Sequence, residues 1–175
     1  MRRIISILSL ISLVLLIAEV VCSASSIDHF FHFYNNRPLK LKFTQISVNG
    51  MSGQRISRSG ILIVKPKQEL VFDYPKERVI INDFEVVDYK NGSRYVYKLT
   101  GFNRVLFHLF LGQKKITDLF RVKKTGNNTF VLLPRYKSSI DRIYVRFDKN
   151  RIVGLTIIDI YSNRIIYAFH DTAAK

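Results

Sequence analysis

From Leu41 to Tyr74 the chain switches between apolar and polar residues in a strand-like rhythm, and this restricts its fold more than any other feature. Leu41-Lys42-Phe43-Thr44-Gln45-Ile46-Ser47 leads into a Gly/Ser-rich turn. Ser59-Gly60-Ile61-Leu62-Ile63-Val64-Lys65-Pro66 and Leu70-Val71-Phe72-Asp73-Tyr74-Pro75 follow. Side chains of a strand point to alternate faces, so these segments read as strands with one apolar and one partly polar face. Strands joined by short turns pair antiparallel. Such a sheet covers its apolar face by curling around something apolar or by packing as a sandwich.

Met1-Arg2-Arg3 is a positively charged start, and residues 4–17 form an unbroken run of aliphatic residues and serines, 14 long. A membrane-spanning helix needs about 20 apolar residues, and Glu19 follows almost at once. Ser23, Ala24 and Ser25 are small, as a cleavage site requires. Residues 1–24 are read as a cleaved signal peptide, the alternative being an uncleaved anchor. Cys22 follows Val20-Val21, whereas a lipidated cysteine follows a small residue, so it is read as leaving with the leader. The mature chain then has no thiol chemistry and no disulfide.

Removing 24 of the 175 residues leaves 151, read as a single domain over 25–175. Hydrophobic residues are 47% of the full chain, enough for an ordinary core without covalent help. The formal charge of +15 becomes +14 when Arg2, Arg3 and Glu19 depart. A surface this basic is drawn to anions. An exported protein seldom meets nucleic acid, which leaves phospholipid headgroups and acidic proteins.

Ile27, Phe30, Phe31 and Tyr34 recur at i, i+3, i+4, i+7 after Ser26, the stripe of a short amphipathic helix. Strands are predicted over 39–44, 54–65, 69–74, 78–81, 84–90 and 93–99. Asn91-Gly92 is a two-residue hairpin signal, because both positions accept positive φ. Thr100 caps a helix to about Gly112, with Phe102, Val105, Leu106, Leu109 and Phe110 on one stripe. Phe107 and Leu111 lie outside the stripe and widen it. Residues 116–122 fit either a short helix or a strand. Four more strands are predicted over 129–133, 141–148, 152–160 and 164–169. The helices are the natural plug for the open side of the sheet.

In this order the residues resemble the outer-membrane lipoprotein carrier proteins, the LolA-type periplasmic carriers. The likeness rests on Phe43-Thr44-Gln45 after a helix and on Ser59-Gly60 leading through a strand to Lys65-Pro66. Phe72-Asp73-Tyr74, the Asn82-Asp83 turn before Val-Val-Asp-Tyr, the central apolar helix and the closing strands extend it over nearly all of the mature chain. The resemblance implies a mainly β fold with helices, an incomplete, half-open antiparallel β-barrel covered by a helical lid. It implies a monomeric periplasmic chaperone that takes triacylated lipoproteins from an inner-membrane exporter to an outer-membrane receptor, touching membrane surfaces in passing. It implies no catalysis, and no cofactor or metal. A basic residue before the strand-ending proline controls the lid in this family, and Lys65 holds that place. The family's usual pair of basic residues ending in Arg is here a single Lys, which lacks Arg's planar fork. The family also usually has one or two further elements where this chain stops.

Acyl chains transfer from water at about 0.8 kcal/mol per methylene, so some ~40 methylenes represent ~30 kcal/mol. A carrier must match that with apolar surface. The predicted lining is Phe31 and Tyr34 from the first helix, Phe43, Leu62, Val64, Phe72 and Tyr74 from strands, and Phe102, Leu106, Leu109 and Phe110 from the lid. The same residues also suit a plain core. Lys114, Lys115, Arg121, Lys123 and Lys124 cluster after the lid, either to dock on a membrane or receptor or to keep a loop solvated.

His29 and His32 near Asp28 are better read as structural, since zinc needs three or four ligands. No phosphate loop and no nucleophile–base–acid set is present, which argues against an enzyme. Two alternatives accompany the carrier. A lipid-anchored receptor of the same fold would use Cys22. A β-sandwich adaptor for acidic partners would have its apolar face closed.

Overall fold

The structure, a computed structural model, describes residues 27, 31, 38–82, 85–111, 115–149 and 151–171. The predicted leader, Cys22, Tyr34, Lys114 and the His29/His32 pair lie outside the described residues. Six strands come first: β1 (Leu39–Val48), β2 (Arg55–Lys65), β3 (Glu69–Tyr74), β4 (Glu77–Ile81), β5 (Glu85–Lys90) and β6 (Ser93–Lys98). Helices α1 (Gly101–Leu111) and α2 (Ile116–Leu119) follow. Then come β7 (Phe120–Gly126), β8 (Thr129–Pro134), β9 (Ile140–Asp148), β10 (Arg151–Asp159) and β11 (Arg164–Asp171).

All eleven described strands form one sheet in the order β6-β5-β4-β3-β2-β1-β11-β10-β9-β8-β7. Every neighbouring pair is antiparallel. The first and last strands meet at the centre, and the middle of the chain supplies both edges. Edges β6 and β7 are not joined, so the sheet is not closed. One continuous sheet replaces the two packed sheets of the sandwich alternative.

Local chemistry sets the turns. Asn91 (φ 51°) and Gly92 (φ 79°) form the predicted β5–β6 hairpin turn. Residues 116–122 are both things the sequence allowed. Ile116 and Phe120 are buried four apart, as one helical turn requires, and Val122 then alternates with exposed Arg121 and Lys123 on β7. Arg121, Lys123 and Lys124 therefore lie on an edge strand and not on a loop, where charged side chains discourage pairing with a second sheet.

Leu41 and Phe43 of β1, Leu62 and Val64 of β2, Leu70 and Phe72 of β3, Ile81 and Val86 face one buried cluster. Ile143, Val145 and Phe147 of β9, Leu155 and Ile157 of β10, and Tyr167 and Phe169 of β11 complete it. Gly60 stands opposite Phe43 in the register. A Cβ there would lie 2.6 Å from the Asp73 carbonyl oxygen and 3.1 Å from Phe43 Cζ. Glycine thus lets β3 approach β2 closely, and the Phe43 ring fills the space left by the missing side chain.

Candidate functional site: an apolar groove with a charged rim

The inner faces of β1–β5 change character along their length. Going toward one end of the strands, Leu41 and Phe43 give way to Gln45, and Leu62 and Gly60 to Arg58. Phe72 gives way to Tyr74, Val79 to Glu77 and Val86 to Asp88. The period is unbroken and only the chemistry changes, from an apolar floor to a polar rim.

The rim is bonded together. Tyr74 Oη donates to Gln45 Oε1 at 2.5 Å, and Gln45 Nε2 donates to Ser47 Oγ at 3.0 Å. The Arg58 guanidinium lies 5.0 Å above the Tyr74 ring and donates to Glu77 Oε2 at 2.8 Å. Lys90 Nζ is 3.8 Å from the same carboxylate. Burial pushes the Tyr74 hydroxyl up to about 12, with Arg58 opposing the shift. Burial, then the Glu77 charge, raises the Asp88 carboxyl, whose Oδ1 is buried without a hydrogen-bond partner among the described residues. Burial raises the Tyr167 hydroxyl as well. Gln45, Arg58, Tyr74, Glu77, Asp88 and Tyr167 surround a cleft of about 220 Å³ that Asn103 and Leu106 of α1 close from above.

Helix α1 is apolar around most of its circumference. Val105, Leu106, Phe107, Leu109, Phe110 and Leu111 are all buried. Arg104 and half-buried His108, one turn apart, border a separate cleft of about 320 Å³ against the β8–β9 loop. A helix apolar on most sides is embedded in its surroundings. Here it packs on β2 and β3, and the Phe110 ring meets Phe169 of β11 at 5.8 Å. Phe107 and Leu111, outside the predicted stripe, prove as buried as the rest.

The structure brings most of the predicted lining into one cluster. Phe43, Leu62, Val64, Phe72, Leu106, Leu109 and Phe110 are buried in it, and Phe102 and Tyr74 pack against it. The Phe43 ring touches those of Phe72, Tyr74 and Tyr167 edge-on at 5.6, 5.4 and 5.7 Å. Phe31, helical and buried like Ile27, belongs to the same cluster, on its β9 side, with its ring 5.5 Å from Phe147. Lys65 Nζ bonds Glu69 Oε1 at 2.6 Å across the β2–β3 turn, and among the described residues it makes no bond to α1. Sequence reasoning missed Gln45, Arg58, Glu77 and Asp88. The signal was available, since each extends an apolar inward series by two residues.

A model of the outer membrane lipoprotein carrier protein LolA matches residues 35–175. The chain belongs to the LolA family. A search of curated proteins finds no significant match. Among solved structures, a LolA superfamily protein from Nitrosomonas europaea is similar at 7% identity and a TM-score of 0.50, over 85% of this chain and 92% of that one. A DUF1329 family protein from Desulfovibrio piger gives 8% and 0.47 over 90% and 95%. An outer membrane lipoprotein-sorting protein domain from Vibrio parahaemolyticus gives 11% and 0.42 over 86% and 93%. The Nitrosomonas protein supports the LolA-type fold. Membership places the chain in a family of lipoprotein carriers.

Proposed function

We propose that this LolA-family protein is a periplasmic chaperone that carries acylated lipoproteins from an inner-membrane exporter to an outer-membrane receptor. Residues 1–24 are its cleaved signal peptide, and 25–175 are one carrier domain working as a monomer without catalysis. The acyl chains lie against Phe43, Leu62, Val64 and Phe72 in the space α1 now occupies, with Phe102, Leu106, Leu109 and Phe110 turning from plug to wall. Lys115, Arg121, Lys123 and Lys124 add long-range attraction to anionic surfaces. Lys65 acts on the lid indirectly, by fixing the β2–β3 turn through Glu69.

The observation that carries this reading is an unclosed sheet whose apolar face is filled by a helix apolar on most sides. The rim cleft, at about 220 Å³, is smaller than the ~300–1,000 Å³ of ordinary ligand sites. To reach Phe43, Leu62 and Phe72, which are buried in one cluster with α1, acyl chains enter by displacing that helix. Exposing its six buried side chains to water would cost roughly 9–18 kcal/mol at 1.5–3 each. Opening into water is thus rare, but about 12–23 methylenes offset that sum at ~0.8 kcal/mol apiece. The groove exchanges one apolar occupant for another and never stands empty.

The test is hydrogen exchange on the mature protein with and without a triacylated lipoprotein released from detergent. A one-to-one complex should form, with faster exchange across Gly101–Leu111 and unchanged protection in β9 and β10. A complex that leaves α1 as protected as before would sink the exchange mechanism. No complex at all would sink the carrier reading.

A further inference from the structure

Two hairpin tips stand side by side at one end of the sheet. The Gly50 N–H of the β1–β2 tip donates to Asn163 Oδ1 of the β10–β11 tip at 2.9 Å. A Cβ at Gly50 would overlap the Tyr161 carbonyl. Ile160 N–H in turn donates to Ser139 O at 3.0 Å, tying the β8–β9 loop to the pair.

Each tip is held rigid by its own side chains. Asn49 Oδ1 accepts from Met51 and Ser52 N–H at 3.0 and 2.9 Å. Asp159 Oδ1 accepts from Tyr161 and Asn163 N–H, both at 2.9 Å.

These tips hold bulky apolar side chains out to solvent: Met51 is 94% exposed, Tyr161 69% and Ile160 58%, with Ile56 of β2 beside them at 53%. Rigid turns that present bulky apolar side chains are not explained by the packing of the fold. The charges around them are positive. Arg55 and Arg164 are both exposed and both stand opposite Val48 in the register. Lys137 is exposed on the neighbouring loop. None of the three has an ion-pair partner among the described residues. Of the nearby carboxylates, Asp141 is paired with Arg142 at 2.6 Å and Asp159 is engaged by its own turn.

We propose that this end of the sheet docks on an anionic phospholipid bilayer, with Met51 and Tyr161 entering the interfacial layer and Arg55, Arg164 and Lys137 meeting the headgroups. Narrow apolar tips suit a fluid layer, whereas a stable protein interface wants a continuous patch of about 800 Å² per partner. Tyrosine and methionine beside arginine match the interface, where apolar bodies sit below anionic headgroups. Arg58 and Tyr74 lie at the same strand ends, so the groove's rim turns toward the bilayer. That last consequence rests on the carrier reading. The docking itself stands on the tips.

The chain has no tryptophan, so Met51→Trp gives a single fluorescent reporter. With phosphatidylglycerol-rich vesicles its emission should shift blue and be quenched by brominated acyl chains. Pure phosphatidylcholine should leave it unchanged. Met51→Asp/Tyr161→Asp should bind the anionic vesicles at least about tenfold more weakly, since a buried Met alone contributes more than that factor. Met51→Ser/Tyr161→Ser should weaken binding too, with circular dichroism unchanged in both. Parent-like vesicle binding by both double variants would overturn the proposal. So would an unshifted reporter on protein that nonetheless sediments with vesicles. A parent dimer that either double variant dissociates would assign the tips to a second copy instead. Uptake of detergent-released lipoprotein needs no vesicle. Lost docking with intact uptake leaves the carrier reading standing, and lost uptake with intact docking leaves the tips standing.

Discussion

The two wings of the sheet are built alike and filled differently. In the β7–β11 wing the inner face stays apolar from Phe130 and Leu132 through Ile143, Val145, Phe147, Leu155 and Ile157. Phe31 meets Phe147, and Phe130 meets the same ring at 6.0 Å, so the wing is closed by aromatic packing of ordinary core type. In the β1–β6 wing the inner face runs from Phe43 and Phe72 out to Arg58, Glu77 and Asp88, and its filler is a helix with a polar cleft at its edge. A uniformly apolar surface has no edge at which water or a ligand can begin to enter. A graded surface has one. On the proposed carrier reading, one wing is scaffold and the other is where occupants change.

Matched truncations break or sharpen this contrast with the largest effect. Phe147→Ala should remove about 3–5 kcal/mol of stability and Leu109→Ala about 2–5, from lost transfer energy and the cavity left behind. Urea unfolding checks both. The two should part in acyl uptake by the folded protein. Phe147→Ala should leave its rate unchanged, because the scaffold wing is not displaced. Leu109→Ala should speed it, because α1 is then held less tightly. Equal changes in uptake would erase the distinction between the wings.

The joint between floor and rim is probed by Gly60→Ala. The added methyl meets backbone at 2.6 Å, which a side-chain rotation cannot relieve. Overpacking of this kind should cost about 1–3 kcal/mol. The loss should shrink when Phe43→Leu is added, because the ring that now covers Gly60 can then withdraw. A double-mutant cycle reads this coupling, and strict additivity would detach Phe43 from the glycine.

Much of this design is legible in the sequence, because strands with one buried face write their register as period-two alternation. The ten predicted strands rest largely on that, and the Asn91-Gly92 turn on the tolerance of both positions for positive φ. Segment 116–122 escaped, because seven residues hold one helical turn and the start of a strand, too short for either period to dominate. The helix 101–111 was legible as a helix but not as an embedded one. Phe107 and Leu111 looked like extra width on a stripe, and only the surrounding sheet shows that nearly every side is covered. The rim stayed hidden because Arg58, Glu77 and Asp88 are scattered over three strands. What unites them is β2–β5 pairing: the period marks each as inward-facing, but only the pairing makes them neighbours.

The smallest effect separates the rim from the floor by pH. Tyr74 has one face on Phe43 and its hydroxyl on Gln45, and its folded-state value of about 12 exceeds the ordinary 10. A group that holds its proton more tightly when folded contributes stability that is complete below the ordinary value and is lost as pH rises toward the folded one. Stability should therefore fall between pH 10 and about 12. Tyr74→Phe should remove part of that slope while costing only about 1 kcal/mol at neutral pH, the net worth of one hydrogen bond. Buried Tyr167 keeps part of the slope, since its hydroxyl is raised too. Urea midpoints at pH 8, 10 and 11.5 for the two proteins provide the check. Parallel curves would mean that the Tyr74 hydroxyl is as well solvated as any on the surface, and the rim would then be an open edge with no walled mouth.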